Sequence, residues 1–193
     1  MASTVVEQLT SKALQHLFTK IRDRNTNPTE FRLYASRLMR ILAEEGIARV
    51  EDKPKVVTTP TGDIYEGVTL FSERKLCVLS IIRAGDSLLE AVLACEPSVS
   101  VGKILIQRDE TSVEKTPVMY YSKLPPNVSN MNVMLVDPML ATGGSAMKAI
   151  ETLVAAGVPE ERILFLNVVS CPEGLEALNK TYPGTRNLTF KSY

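Results

Sequence analysis

The chain has 193 residues, 45% of them hydrophobic and 23% charged, with 22 basic residues balanced by 22 acidic ones. That length suits one domain with a substantial core. The even charge excludes a global field that would gather nucleic acid or an anionic membrane, so any anion has to be held locally. The cysteines Cys77, Cys95 and Cys171 form no C-x-x-C pair, and His16 is the single histidine. The first observation points to free thiols in a reducing, cytoplasmic compartment, and the second excludes a multi-histidine metal site. No basic-apolar signal segment opens the chain, and no apolar run approaches the ~20 residues that a membrane span needs.

In chain order, Leu14, Leu17, Phe18 and Ile21 share one helical face, and the polar run Arg22 to Asn27 ends that helix. Asn27 followed by Pro28 marks a second helix start, a capping side chain with proline in the first turn. Phe31, Tyr34, Ala35, Leu38 and Leu42 then recur at helical spacing, with Gly46 as the expected stop and Arg32, Arg37 and Arg40 on other faces. Val56 to Leu70 reads as two β segments around the turn Pro60-Thr61-Gly62-Asp63. A projecting hairpin is marginal alone and has to be covered by the domain or by a second subunit.

Cys77 to Ile82 is an apolar strand, broken by Arg83-Ala84-Gly85 and followed by a helix carrying Leu88, Leu89, Val92 and Leu93. A guanidinium at the end of a buried strand needs an anion, either an acidic neighbour such as Asp86 or a bound ligand. Val101 to Gln107 is the next strand, with Arg108, Asp109 and Glu110 at its carboxyl end, where ligands of open α/β sheets collect. Thr111 to Asn127 reads as a long loop, either a lid carrying Tyr120, Tyr121 and Lys123 or a plain connector.

The segment Asn132 to Gly157 reads as a buried strand, a turn of small residues and an amphipathic helix. Met139 to Gly143 is expected to leave the sheet, Gly143-Gly144 to bring the backbone close to a ligand, Ser145 to cap the helix and Gly157 to stop it. The first N–H groups of such a helix lack partners and lie at its positive end, so the turn suits a phosphate, with Thr142 and Ser145 as hydroxyl donors. Asp137 beside that phosphate is suited to ribose hydroxyls or a metal-bound water. The plain alternative is an ordinary strand-to-helix turn with a capping serine and a solvated aspartate. Neither the Walker spacing nor the three-glycine dinucleotide pattern is present. Ile163 to Val169 is a further strand, Pro172 to Lys180 a short helix and Asn187 to Phe190 a last strand.

The turn sequence VDPMLATGGSA resembles the PRPP-binding signature of the uracil phosphoribosyltransferases, a branch of the type I phosphoribosyltransferases in which Pro138 is typical. IIRAG, KILIQRDE, YYSKLP and TTPTGDIYEG resemble the same family in the same order. The resemblance implies an α/β fold with a mainly parallel sheet flanked by helices, N-terminal helices and a β-hairpin arm, in a single domain over 1–193. It also implies conversion of uracil and PRPP to UMP and pyrophosphate in pyrimidine salvage. Catalysis would rest on Asp137, Arg83 and Arg108. PRPP would meet these three together with Pro138, Met139, Leu140, Ala141, Thr142, Gly143, Gly144 and Ser145. Mg²⁺ would arrive on the pyrophosphate of PRPP, GTP would act as an allosteric activator near the first helices, and a homodimer or higher homo-oligomer is expected. The family's glycine- and aspartate-rich uracil-reading segment does not follow Phe190, so the chain is expected to be C-terminally incomplete. The competing expectation is a catalytically silent PRPP- or nucleotide-binding subunit that dimerises with a complete partner.

Overall fold

The computed structural model describes residues 6–70, 74–108 and 117–192. The chain begins with β1 (Val6–Gln8), α1 (Lys12–Arg22) and α2 (Pro28–Ile47), then forms a hairpin of β2 (Asp52–Thr58) and β3 (Ile64–Leu70). Next come β4 (Leu76–Ile82), α3 (Gly85–Cys95), β5 (Ser100–Arg108) and β6 (Pro117–Lys123), followed by β7 (Asn132–Val136), β8 (Met139–Leu140) and α4 (Gly144–Ala155). It closes with β9 (Ile163–Ser170), α5 (Pro172–Thr181) and β10 (Arg186–Ser192).

The main sheet runs β1-β10-β9-β7-β4-β5-β6, with β8 beside β9. Its pairings are parallel except β5 with β6, which is antiparallel. The parallel centre follows from the apolar runs, since β4 and β7 are buried almost throughout. From β4 the chain crosses through α3 to β5 on one side, and from β7 it crosses through α4 to β9 on the other. The two helices accordingly cover opposite faces. Leu88, Leu89 and Val92 of α3 join the core built by α1 and α2, whereas Ala146, Ala149, Ile150 and Leu153 of α4 join a second core with Leu175 and Leu178 of α5. The crevice between the carboxyl ends of β4 and β7 is thus a topological switch point, the usual ligand position in open α/β sheets.

Asn27 caps α2 by accepting from the N–H groups of Thr29 and Glu30, with Pro28 in the first turn, as its sequence predicts. Gly46, the expected stop, falls one residue before the helix end at Ile47. It lies inside α2, where a Cβ would come within 2.7 Å of the Leu166 side chain, so its role is close packing of the helix on β9. The loop expected from Thr111 to Asn127 is also revised, because 117–123 form the antiparallel edge strand β6, while 111–116 lie outside the described residues. Nearly all side chains on that edge are exposed, so no buried face imposes a strand period on the sequence. Met139–Leu140 pair with Val169 and Ser170 of β9, so the small-residue turn keeps two residues in the sheet that its sequence seemed to release.

At the amino-terminal side the Arg49 guanidinium joins Glu7 of β1 to Glu45 of α2, and Arg186 donates to the Arg49 carbonyl at 2.8 Å. Buried Asn167 and Asn187 bridge β9 and β10 at 2.8 Å, and Ser170 and Thr189 do so at 2.9 Å. The hairpin has the predicted turn, with Gly62 at φ +94°, and leaves Val56, Ile64, Tyr65 and Val68 each about 60% exposed or more. Among the described residues no helix is long and apolar enough to cross a membrane.

Candidate active site

Two strand–turn–helix units meet at the switch point. In the first, β7 ends at buried Val136, Asp137 and Pro138 turn the chain, and α4 starts after Gly143. Gly143 takes φ +84°, a backbone state that costs little only for glycine, and a Cβ there would come within 3.2 Å of the Gly174 carbonyl. Gly143, not Ser145, is the residue that caps α4, and among the described residues no side chain is seen to cap that helix. The expectation of a capping serine is therefore corrected, with a chemical consequence: the helix opens with free N–H groups, and Ser145 keeps its hydroxyl for other use.

These groups surround a cleft of about 100 Å³ lined by Asp137, Met139, Ala141 to Ser145 and Ala146. At ~30 Å³ per water in the liquid, that is room for a small anion held against backbone. Leu140 is buried and anchors the turn from below, while its carbonyl accepts from the Cys171 N–H at 2.8 Å. Gly174 of α5 closes the other side, since a Cβ on it would collide with the Ala141 carbonyl. The Pro117 ring lies over Gly144, 3.3 Å from where its Cβ would stand, so the chain re-entering at β6 borders the cleft.

Asp137 is half-buried at the rim and accepts from the Met139 N–H at 3.2 Å. Burial pushes its carboxyl up to about 6, only partly offset by that hydrogen bond. The group thus ionises closer to neutrality than an ordinary aspartate. The thiol of Cys77, by contrast, is driven up to about 12 by burial and is inert.

In the second unit β4 runs into Arg83, Ala84 and Gly85, and α3 starts at Gly85. The Ile82–Arg83 peptide is cis. Two expectations change here. Arg83 is exposed instead of buried, and Asp86 is not its partner. The Asp86 carboxylate accepts from Ser80 Oγ at 2.7 Å and from Lys103 Nζ at 2.9 Å, and among the described residues Arg83 has no ion pair. A Cβ on Gly85 would stand 2.5 Å from the Val136 carbonyl and 2.8 Å from Ser80 Oγ. The second turn is therefore pressed against the strand that delivers Asp137. Arg108 ends β5 at the same carboxyl edge. Its side chain, and residues 109–116 with Asp109 and Glu110, lie outside the described residues.

The profile described as uracil phosphoribosyltransferase matches residues 8–191. This chain belongs to the uracil phosphoribosyltransferase family. It is 43% identical over 185 residues to the uracil phosphoribosyltransferase of Dictyostelium discoideum, covering 96% of this chain and 84% of that one. Among solved structures, the AQ2163 protein of Aquifex aeolicus aligns with a TM-score of 0.80 at 25% identity, over 97% of this chain and 87% of that one. The adenine phosphoribosyltransferase of Trypanosoma brucei, solved with AMP, pyrophosphate and ribose-5-phosphate, aligns at 0.66 with 13% identity, over 97% and 83%, and shows that the fold is shared.

Within the family member, the glycine turn and the Arg83 turn, both singled out from the sequence, lie on neighbouring strands. Ser80 and Lys103, which the sequence reading passed over, stand directly opposite each other in the β4–β5 register. A signal for them was available, because a hydroxyl within LCVLSII and an ammonium within SVGKILI are polar groups inside apolar strands.

Proposed function

We propose that this chain transfers the phosphoribosyl group of PRPP to uracil, giving UMP and pyrophosphate. The observation that carries the reading is the uncapped start of α4 wrapped by Ala141 to Ser145, with Asp137 at its rim and unpaired Arg83 on the adjoining turn. The 5′-phosphate is received by the free amides of Gly143, Gly144 and Ser145 with the Thr142 and Ser145 hydroxyls, while Pro138, Met139 and Leu140 shape the turn. Asp137 accepts from the ribose hydroxyls. Arg83 faces the pyrophosphate, and Arg108, at the end of the next strand, is the second cation that the family resemblance assigns to it.

Negative charge grows on pyrophosphate as its bond to the anomeric carbon breaks, so cations placed there stabilise the transition state more than the ground state. Among the described residues no group of three His, Cys, Asp or Glu side chains is placed to hold a metal. Mg²⁺ is taken to enter on the pyrophosphate of PRPP, since Mg²⁺ commonly binds through substrate phosphates, waters and one or two carboxylates. The exposed apolar hairpin supports a homodimer in which β2 and β3 are covered by the second subunit. GTP as an activator belongs at the hollow of about 340 Å³ between α2 and α3, bordered by Arg37 and Arg40. Free thiols at Cys77, Cys95 and Cys171 support a reducing, cytoplasmic setting.

The test is UMP formation by the purified chain from uracil, PRPP and Mg²⁺, expected with one pyrophosphate per UMP. PRPP binding without turnover would leave a silent donor-binding subunit, and neither binding nor turnover would overturn the reading.

A further inference from the structure

Arg83 and Asp86 bracket one short turn, and the Asp86 N–H donates to the Arg83 carbonyl at 3.1 Å. An aspartate in the first turn of α3 complements the helix dipole. It is nevertheless an awkward neighbour for an anion site, because a free carboxylate would either repel the anion or pair with the arginine meant to hold it. The fold prevents both outcomes. Ser80 and Lys103 face each other across β4 and β5, and each engages one oxygen of the carboxylate, at 2.7 and 2.9 Å.

The two contacts have different consequences. Ser80 is fully buried beneath Gly85, so its hydroxyl ties the turn to the sheet at the point where the turn also presses on the Val136 carbonyl. Lys103 brings the charge. It sits opposite Lys123 of β6 in register, and among the described residues the Asp86 carboxylate is the acidic partner that Lys103 engages. Burial would raise the Asp86 carboxyl, but the Lys103 and Ser80 hydrogen bonds and the nearby ammonium charge outweigh it and hold the group below its ordinary range.

We propose that Lys103, acting through Asp86, is a positioning residue: it neutralises the carboxylate of the turn so that Arg83 stays available to the pyrophosphate of the donor and of the product. The inference rests on the proposed phosphoribosyl transfer and adds residues to the same site. A merely structural ion pair of this exposure would contribute little to stability and would not distinguish one ligand from another.

The test compares Lys103→Met, Lys103→Arg and Lys103→Met/Asp86→Asn with the unaltered chain. Calorimetry reads Mg²⁺-pyrophosphate and ribose 5-phosphate binding, and steady-state UMP synthesis reads KM for PRPP. Lys103→Met is expected to weaken pyrophosphate binding about tenfold, or ~1.4 kcal/mol, and to raise KM similarly, while ribose 5-phosphate affinity stays within about twofold. Lys103→Arg keeps the unaltered behaviour, and removing the Asp86 charge in the double variant restores most of the loss. Equal weakening of both ligands, unchanged pyrophosphate binding by Lys103→Met, or no restoration in the double variant would overturn the inference. If the unaltered chain bound neither ligand, the functional reading itself would fall, and the two failures are therefore distinguishable.

Discussion

The turn between β7 and α4 and the turn between β4 and α3 lie on neighbouring strands at one edge of the sheet, yet they are built from different groups. The first offers backbone: Gly143 in the left-handed region, an uncapped helix start and no cationic side chain from Asp137 to Ala146. The second offers a side chain, Arg83, on a turn whose own carboxylate is occupied by Ser80 and Lys103. Amides fixed by the fold suit a group that is bound throughout the reaction. A charged side chain suits a group whose charge grows as it leaves. On the proposed reading, the pairing separates holding the sugar phosphate from stabilising the departing pyrophosphate.

The largest expected effect comes from filling the backbone cradle. Gly143→Val forces a β-branched residue into φ +84°, with its Cβ against the Gly174 carbonyl. Removal of such preorganised donors predicts a loss of about 10²–10³ in kcat/KM, with the strained backbone costing about 1–3 kcal/mol of stability. Steady-state kinetics and a urea titration check the two parts. Activity kept near the unaltered level would mean that the cradle does not hold the donor.

Asp137→Asn is next, with an expected loss of about 10²-fold in kcat/KM if its carboxylate serves the ribose. Stability should move the other way. Burial raises the folded-state carboxyl from 3.8 to about 6, so the associated stability is present below pH 3.8 and is lost as pH rises through 6. At pH 7.5 the unliganded Asn variant should therefore be more stable by about 1–3 kcal/mol. Its melting temperature should also lack the decline that this aspartate is expected to give the unaltered chain between pH 4 and 6. A variant less stable at pH 7.5 would contradict that reading of the aspartate.

Gly85→Ala sharpens the comparison from the other side. The added methyl meets the Val136 carbonyl at 2.5 Å, so the Arg83 turn has to shift. Overpacking of this kind costs about 1–3 kcal/mol, and pyrophosphate inhibition should weaken more than ribose 5-phosphate inhibition. Equal weakening of both would show that the turns do not divide the ligand. The smallest effect is expected at Arg40, whose contact with Glu44 is long at 3.9 Å and exposed. Arg40→Ala should change stability by less than about 0.5 kcal/mol by urea titration.

The two turns were legible in the sequence for one reason: each interrupts a strongly apolar strand with residues that cannot continue it, and Gly143 and Arg83 mark where the chain must do something unusual. The parallel centre followed from the same runs. What escaped was long-range. The neutralisation of Asp86 depends on the register of β4 against β5, which no local pattern records. β6 escaped because its side chains are largely exposed, leaving no buried face to impose a period on the sequence. Gly46 marked the end of α2 to within one residue, but its close packing on Leu166 is a long-range contact that the local pattern does not record.

The division of labour between the turns is tested most directly by amide NMR of the labelled chain, titrated separately with ribose 5-phosphate and with Mg²⁺-pyrophosphate. The predicted result is saturable shifts at the amides of Gly143, Gly144 and Ser145 with the sugar phosphate, and at Arg83 to Asp86 with pyrophosphate. Ribose 5-phosphate that saturates while leaving the Gly143 to Ser145 amides unmoved would contradict it.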